Sequence, residues 1–235
     1  MFGGCYPNPD SLQKSRGFFP IVFTPGVGTI SFQKMSTRRR FFLESGFYHI
    51  YNRGNRKSKI FLDERDYLRF LERAGIYKNK CEVEILCYCL MPNHFHFLIR
   101  QEMNLSISRL ILKVCTGYSK YFNRNYNRVG SLFQDQFKSV HVKTNEQLLW
   151  LSAYIHSNPS VAKMKIKNQD YPYSSYKDYY NNEEGIVKKS MIMSQFTSGK
   201  DYGQFVSEAE RSIIEKREMR YDPDLLIDEE FEDIL

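Results

Sequence analysis

Two histidines stand two residues apart at the start of an apolar run, in the segment MPNHFHFLIR at residues 91–100. In a β-strand, residues i and i+2 lie on the same face about 6.5 Å apart, so His94 and His96 point the same way while Phe95 and Phe97 pack behind them. This spacing suits two ligands of one metal ion. A pair of partly buried histidines on a half-exposed strand gives the same pattern and is the commoner case for H-x-H alone.

A second candidate group lies in the segment LSAYIHSNP at residues 151–159. Residues four apart share one face of a helix, so Tyr154 and Asn158 point together while Leu151 and Ile155 can face a core. If that face docks against the histidine strand, Asn158 becomes a third metal ligand and the Tyr154 hydroxyl lies beside a metal-bound phosphate. A surface tyrosine and an asparagine at the helix C-terminus would give the same letters.

The elements that carry these residues follow from hydrophobic periodicity and turn residues. In chain order, the pattern predicts a strand at 47–52, a helix at 63–80, strands at 83–90 and 94–100 around a turn at 91–93, a helix at 105–125, a strand region at 130–142 and a helix from about 146 to 158 that Pro159 terminates. This order is that of an α+β fold, a ferredoxin-like antiparallel sheet with helices on one face and the other face free. The histidine strand then lies in the middle of the sheet.

Composition and charge narrow the class of protein. The 235 residues include 18 Phe and 17 Tyr, which is enough to fill a core, and an odd number of cysteines, five, argues against a secreted disulfide framework. No apolar run is long enough to span a bilayer, so we expect a cytoplasmic protein with no membrane partner. The net charge is +7, and residues 221–235 hold seven acids, so the rest of the chain carries +7 + 7 = +14. Such a basic body suits a nucleic-acid partner, although a basic protein without one has the same composition.

Four segments in this order resemble the REP-associated tyrosine transposases: FYHIYNRGNRKSKIF, MPNHFHFLIR, GSLFQDQFKSV and AYIHSNP. These are single-tyrosine members of the HUH superfamily, which transpose or process single-stranded DNA, and the resemblance runs from about residue 36 to residue 180. It implies an HUH endonuclease fold, with His94 and His96 as the metal-binding pair and Asn158 as the third ligand. It also implies Tyr154 as the nucleophile that becomes linked to a DNA 5′ phosphate.

The chemistry is consistent with these residue types. Cleaving a phosphodiester at neutral pH needs a Lewis acid, and two imidazoles with an amide oxygen leave open positions on Mg²⁺ or Mn²⁺ for the substrate. Attack by tyrosine forms a phosphotyrosine ester whose leaving ability is comparable to that of the phosphodiester it replaces. The bond energy is therefore kept for rejoining the DNA strand. We therefore expect strand transfer by a metal-dependent transposase.

The expected partner is single-stranded DNA with a hairpin, bound on the open face of the sheet by a monomer or a homodimer. The predicted DNA-binding residues are Arg53, Asn55, Arg56, Lys57, Lys59, Arg124, Arg128 and Lys138. The chain departs from the family at Asp135-Gln136, where relatives often have Gly-Arg, and this departure places a negative charge near the expected DNA path.

Three alternatives stay open at this point. Cys87 and Cys89 before the histidines could form a zinc hairpin that binds nucleic acid without cutting it, provided that a two-residue turn puts them on the histidine face. A domesticated protein could bind hairpin DNA without transposing it. Tyr118 or Tyr121 could be the nucleophile, although Tyr118 fits the apolar stripe of its helix. His156 is expected to have a structural or DNA-contacting role.

Three segments are expected along the chain. Residues 1–35 are expected to be disordered or an extension from an upstream start, residues 36–180 to form the transposase domain, and residues 181–235 to form a helical extension with an acidic tail.

Overall fold

The computed structural model describes residues 42–102 and 106–219. The predictions for residues 1–35 and for the acidic tail lie outside these described residues. Within them, no helix is long and apolar enough to cross a membrane.

The chain forms four strands and six α-helices in the described residues. In order they are β1 (Phe47–Arg53), α1 (Glu64–Lys80), β2 (Val83–Met91), β3 (His94–Gln101), α2 (Ser106–Asn125), β4 (Lys138–Val142), α3 (Asn145–Val161), α4 (Tyr176–Tyr180), α5 (Ser190–Met193) and α6 (Gly199–Met219). The strands form one antiparallel sheet in the order β2-β3-β1-β4. The α+β class is confirmed, and the histidine strand β3 lies inside the sheet as predicted.

One face of the sheet packs against α1 and α2. Phe95 and Phe97 of β3 and Ile50 of β1 join the core on this side. Helix α1 begins at a capping box, in which the Asp63 side chain accepts a hydrogen bond from the backbone N–H of Asp66. Both helices lie flat on the sheet because apolar side chains recur along one side of each. Since Phe95 and Phe97 face these helices, strand alternation places the even-numbered β3 residues on the opposite face.

The opposite face is not bare. Helix α3 packs over β2 and β3, and together with α4 and α6 it builds a second apolar cluster that includes Leu98, Leu151 and Tyr202. The description "helices on one face" therefore fits α1 and α2 but not α3. The physical reason is that α3 is buried nearly all round from Leu151 to Pro159, and a helix without a polar face cannot remain on the surface.

The length of the β2–β3 turn and a β-bulge decide which face of the sheet each β2 residue lies on. Met91 pairs with His94, so the predicted turn at 91–93 is wrong by one residue: the turn contains only Pro92 and Asn93, and Cys89 lies directly opposite His96. A β-bulge between Ile85 and Cys87 shifts the alternation, so residues on both sides of the bulge still reach the core with α1 and α2.

Two further predicted boundaries were wrong. The strand region at 130–142 forms a strand only from Lys138, because the preceding residues run as a loop whose Leu132 carbonyl accepts a hydrogen bond from the Asn55 N–H. Helix α3 does not end at Pro159 but continues to Val161. A proline in the last turn removes one backbone N–H, and the helix closes beyond it through the Ala162 N–H, which donates to the Asn158 carbonyl.

Candidate active site

His94 and His96 lie side by side on the sheet face that α3 covers. Their ring centroids are 4.9 Å apart at an interplanar angle of 88°. His96 is 1% exposed, whereas His94, at the end of the sheet, is partly exposed. The strand alternation predicted from H-x-H is therefore present.

Helix α3 brings Tyr154 to His96. The helix starts at a capping box between Thr144 and Gln147, and its docking on the sheet places the Tyr154 ring 6.0 Å from the His96 ring, edge to face. Trp150, one turn earlier, stacks on Tyr154 with ring centroids 5.6 Å apart. Tyr154 is 3% exposed, so these neighbours and the surrounding core restrain its ring.

Asn158 lies one helical turn beyond Tyr154 and is also buried. Its side-chain Nδ2 donates to the Tyr154 carbonyl at 2.9 Å, and the Ser157 hydroxyl donates to the same carbonyl at 3.1 Å. Because the amide nitrogen is used in this contact, the amide oxygen is the atom of Asn158 that suits a hard metal ion.

The donor atoms fit a divalent metal. Nδ1 of His94 lies 2.7 Å from the side-chain oxygen of Asn93, and Nδ1 of His96 lies 2.9 Å from Nε2 of His49. With both Nδ1 atoms turned toward protein partners, Nε2 of each histidine is the nitrogen that would hold a metal. Two imidazoles and one amide oxygen suit Mg²⁺ or Mn²⁺ in a site with open positions.

His49 is the site residue that the sequence reading missed. It lies on β1 and is fully buried, and burial lowers the pKa of its imidazole to about 3, so the ring is neutral at physiological pH. The available signal was the alternation FYHIYNR, which places His49 and Tyr51 on one face of a strand that must border the histidine strand. Which face that would be could not be read from β1 alone.

The family is decided by a comparison with known proteins. The family model described as "Transposase IS200 like" matches residues 43–158, a range that runs from just before β1 to Asn158 and includes the histidine pair. Residues 43–158 of the chain belong to this transposase family.

Individual relatives agree with that assignment. A REP-associated tyrosine transposase of Haemophilus influenzae is 27% identical over 157 residues, which cover 60% of this chain and 86% of the relative. A solved structure of a REP-associated tyrosine transposase bound to a REP hairpin matches with a TM-score of 0.52 at 19% identity, over 66% of this chain and 91% of that one. The resemblance and the fold inferred from the sequence are thus confirmed.

The cysteines of the transposase lie on the histidine face, as the zinc alternative required. However, Cys87 and Cys89 are fully buried, and burial raises the pKa of both thiols well above the usual range. The Cys89 sulfur contacts the Met91 sulfur at 3.8 Å. Both side chains pack in the second apolar cluster, so these two thiols are better described as core residues. Among the described residues, no group of three or more His, Cys, Asp or Glu side chains could hold a metal.

The alternative tyrosines lie on the wrong side of the sheet. Tyr118 is fully buried in the core between the sheet and α2, and its hydroxyl donates to the Ile60 carbonyl. Tyr121 packs against the same core. Neither position places a hydroxyl on the face that carries His94 and His96.

Five of the predicted DNA-binding residues of the transposase lie beside the exposed end of the histidine strand. Arg53 is opposite His94, and the loop that follows is tied to the β2–β3 turn because the Gly54 N–H donates to the Asn93 carbonyl at 2.7 Å. A side chain at Gly54 would meet the Ser58 carbonyl at 2.0 Å, so this tight approach requires glycine. The loop carries Asn55, Arg56, Lys57 and Lys59.

The other three predicted DNA-binding residues divide between the two sides of the sheet. Lys138 begins β4 next to Tyr51, and its ammonium lies 5.9 Å from the centroid of the Tyr51 ring, on the histidine face. Arg124 lies in the last turn of α2, which packs on the opposite face, and Arg128 follows the end of that helix, where its backbone N–H donates to the Asn123 carbonyl. Asp135 is exposed, and its backbone carbonyl accepts a hydrogen bond from the Asn52 side chain.

His156 is a structural residue. Its two ring nitrogens lie 2.7 Å from the Tyr202 hydroxyl and 2.8 Å from the Ser175 hydroxyl, and the residue is fully buried. These contacts link α3 to α6 and to the segment before α4. Full burial excludes the DNA-contacting role that was considered for this histidine.

Acid should weaken the fold partly through His156. Burial lowers the pKa of its imidazole to about 3, while an unfolded histidine titrates near 6.5, so between these values the unfolded chain binds the extra proton. Stability should therefore fall as pH falls from 6.5, by about 2 kcal/mol at pH 5 from this residue. Urea unfolding at pH 7 and pH 5 measures this loss of stability. The His156→Gln variant should lose about 2 kcal/mol less than wild type over that interval; an equal loss would contradict the assignment.

Proposed function

We propose that this chain cleaves and rejoins single-stranded DNA through a covalent 5′-phosphotyrosine at Tyr154, with Mg²⁺ or Mn²⁺ held by His94, His96 and Asn158. The observation that supports it most directly is the docking of α3, which places the Tyr154 ring against His96 and Asn158 one turn further on. Nucleophile and ligand donors thus come from two elements far apart in the sequence.

The bond changes balance in each direction. The Tyr154 hydroxyl oxygen bonds to the scissile phosphorus and loses its proton, and the bond to the O3′ atom breaks, so that O3′ leaves as a hydroxyl after taking up a proton. A divalent cation, when bound, supplies Lewis-acid stabilisation of the non-bridging phosphate oxygens. In the reverse step a 3′ hydroxyl attacks the phosphotyrosine and releases Tyr154. The number of phosphoester bonds is unchanged throughout, which makes rejoining possible without an energy source.

The packing of Tyr154 suits this role. Its ring is buried and contacts Trp150 and His96, so little rotational freedom remains to be lost when a phosphate arrives. Holding a nucleophile in one orientation is worth several kcal/mol of the activation barrier when the reacting atoms are about 3–3.5 Å apart. The hydrogen bond from Asn158 to the Tyr154 carbonyl couples the position of the third ligand to that of the nucleophile.

The proposed substrate is single-stranded DNA that contains a hairpin. The basic loop after β1 and Lys138 lie at the end of the sheet where His94 is partly exposed. The solved relative is described as bound to a REP hairpin, which supports a hairpin for this chain as well. Labelled single strands from the flanks of the gene, incubated with the full chain with and without Mn²⁺, test the proposal; metal-dependent cleavage is expected, and no cleavage of any flanking strand would contradict it.

The affinity for single-stranded DNA should fall as the salt concentration rises, because salt weakens contacts with phosphates. If about five of the predicted basic residues touch phosphates, log K should fall with log salt at a slope of roughly −3.5, at about 0.7 per contact with single strands. Arg56→Gln should reduce the magnitude of the slope by about 0.7, because its exposed guanidinium lies in the basic loop. The exposed Lys200 on α6 provides the matched control, and Lys200→Gln should leave the slope unchanged. Fluorescence anisotropy at several salt concentrations measures these slopes, and equal affinity for a blunt duplex would argue against the proposed substrate.

A further inference from the structure

His49 is a buried histidine that lies directly behind the candidate metal site and takes no part in the cleavage step. It lies in the middle of β1 on the same sheet face as His96. Its Nε2 is 2.9 Å from Nδ1 of His96, and the two rings are parallel within 7°. Tyr51 stacks on His49 with ring centroids 4.7 Å apart, which restrains the His49 ring.

The protonation pattern of this pair follows from the chemistry of histidine. A histidine that binds a metal through Nε2 carries its proton on Nδ1 and needs a hydrogen-bond acceptor there. A neutral imidazole with its own proton on Nδ1 offers Nε2 as that acceptor. The opposite arrangement, in which His49 donates to Nδ1 of His96, would put the His96 proton on Nε2 and block the metal.

We propose that His49 is a positioning residue, which accepts a hydrogen bond from the Nδ1–H of His96 and so holds Nε2 of His96 in the orientation and tautomer that bind the divalent metal. The inference rests on the metal role proposed for His94 and His96. It assigns the buried β1 histidine to the same site, where its position on a central strand makes it more rigid than a loop residue. His94 differs, because the partner of its Nδ1 is the neighbouring Asn93 in the turn.

Binding of Mn²⁺ alone to the full chain tests the proposal without any DNA chemistry. The electron paramagnetic resonance signal of unbound Mn²⁺ reports its affinity for wild type and for variants at His49. His49→Phe keeps a ring of similar size but has no acceptor, so affinity should fall about 10- to 100-fold, as for other residues that orient metal ligands. His49→Gln can place an amide oxygen near the position of Nε2 and should retain affinity close to wild type.

Two comparisons separate a positioning role from a general packing role. His49→Asn has the same amide on a side chain one methylene shorter, so its acceptor does not reach His96 and the affinity for Mn²⁺ should fall as in His49→Phe. If the phenylalanine variant does not fold, the comparison of His49→Gln with His49→Asn tests the proposal. His141→Gln, on the neighbouring strand β4, should bind Mn²⁺ as wild type does. His141 stacks on Tyr48, which belongs to the core with α1 and α2. Unfolding temperatures recorded for each variant show whether lost affinity follows lost stability.

The outcomes distinguish this inference from the function on which it rests. If wild type binds Mn²⁺ through His96 and His49→Phe and His49→Asn bind equally well, the positioning role is overturned while the metal site stands. If all three His49 variants lose affinity in proportion to their loss of stability, a packing role replaces the positioning role. If His96→Ala binds Mn²⁺ as tightly as wild type, the proposed metal site fails and the inference fails with it.

Discussion

The Tyr154→Phe variant is expected to form no covalent adduct with DNA, whereas the wild-type chain forms one that survives denaturing gel electrophoresis. The substitution removes one oxygen, the proposed nucleophile, and leaves the ring that packs against Trp150 and His96. Stability and DNA affinity should therefore change by at most about 1 kcal/mol, the worth of one hydrogen bond. Mass spectrometry of the wild-type adduct should locate the linked DNA on the peptide that contains AYIHSNP.

Tyr118→Phe and Tyr121→Phe provide the matched controls. Both tyrosines lie on the α1 and α2 side of the sheet, so their hydroxyls cannot reach a phosphate at His96, and both variants should keep the adduct. An adduct in Tyr154→Phe would place the nucleophile elsewhere. A wild-type chain that never forms one with its flanking DNA would favour a domesticated protein that binds hairpins without cutting them.

The His96→Ala variant should lose cleavage while it retains most of its DNA binding. Loss of a metal ligand removes several kcal/mol of transition-state stabilisation, and about 4 kcal/mol corresponds to roughly a thousand-fold slower reaction. Most of the predicted DNA-binding residues are Lys and Arg side chains outside the proposed metal site, so DNA binding should persist. Single-turnover cleavage of labelled single-stranded DNA and anisotropy binding curves, measured on the same preparation, check both expectations.

Structural damage has to be separated from metal loss in this variant. His96 is buried and contacts both His49 and Tyr154, so its removal should also cost about 1–3 kcal/mol of stability. The His141→Ala variant alters another histidine of the sheet without touching the site and should cleave normally. EDTA should abolish wild-type cleavage reversibly on addition of Mn²⁺. Full activity in EDTA, or tightly bound stoichiometric zinc in the purified chain, would reject the proposed site.

Much of the fold was predictable because it depends on local patterns. The alternation in HFHFLIR determines that His94 and His96 share a face, and the i, i+4 spacing determines that Tyr154 and Asn158 share another. Capping residues at Asp63 and Thr144 mark where two helices begin, and both predicted starts agree with the structure to within a residue or two. These features depend on neighbours within one or two turns of the chain, so the sequence itself determined them.

Other features of the site were decided only by the tertiary structure, because they depend on contacts between distant segments. The docking of α3 over β2 and β3 makes Tyr154 and His96 neighbours, and no local pattern specifies which sheet face an apolar helix covers. The length of the β2–β3 turn sets the face of Cys87 and Cys89, because a turn with one more residue would reverse the alternation of β2 relative to β3. His49 joins the site only because β1 pairs with β3 in a register that brings its Nε2 to Nδ1 of His96. Strand register and helix docking are settled by long-range packing, which hydrophobic periodicity within one element does not record.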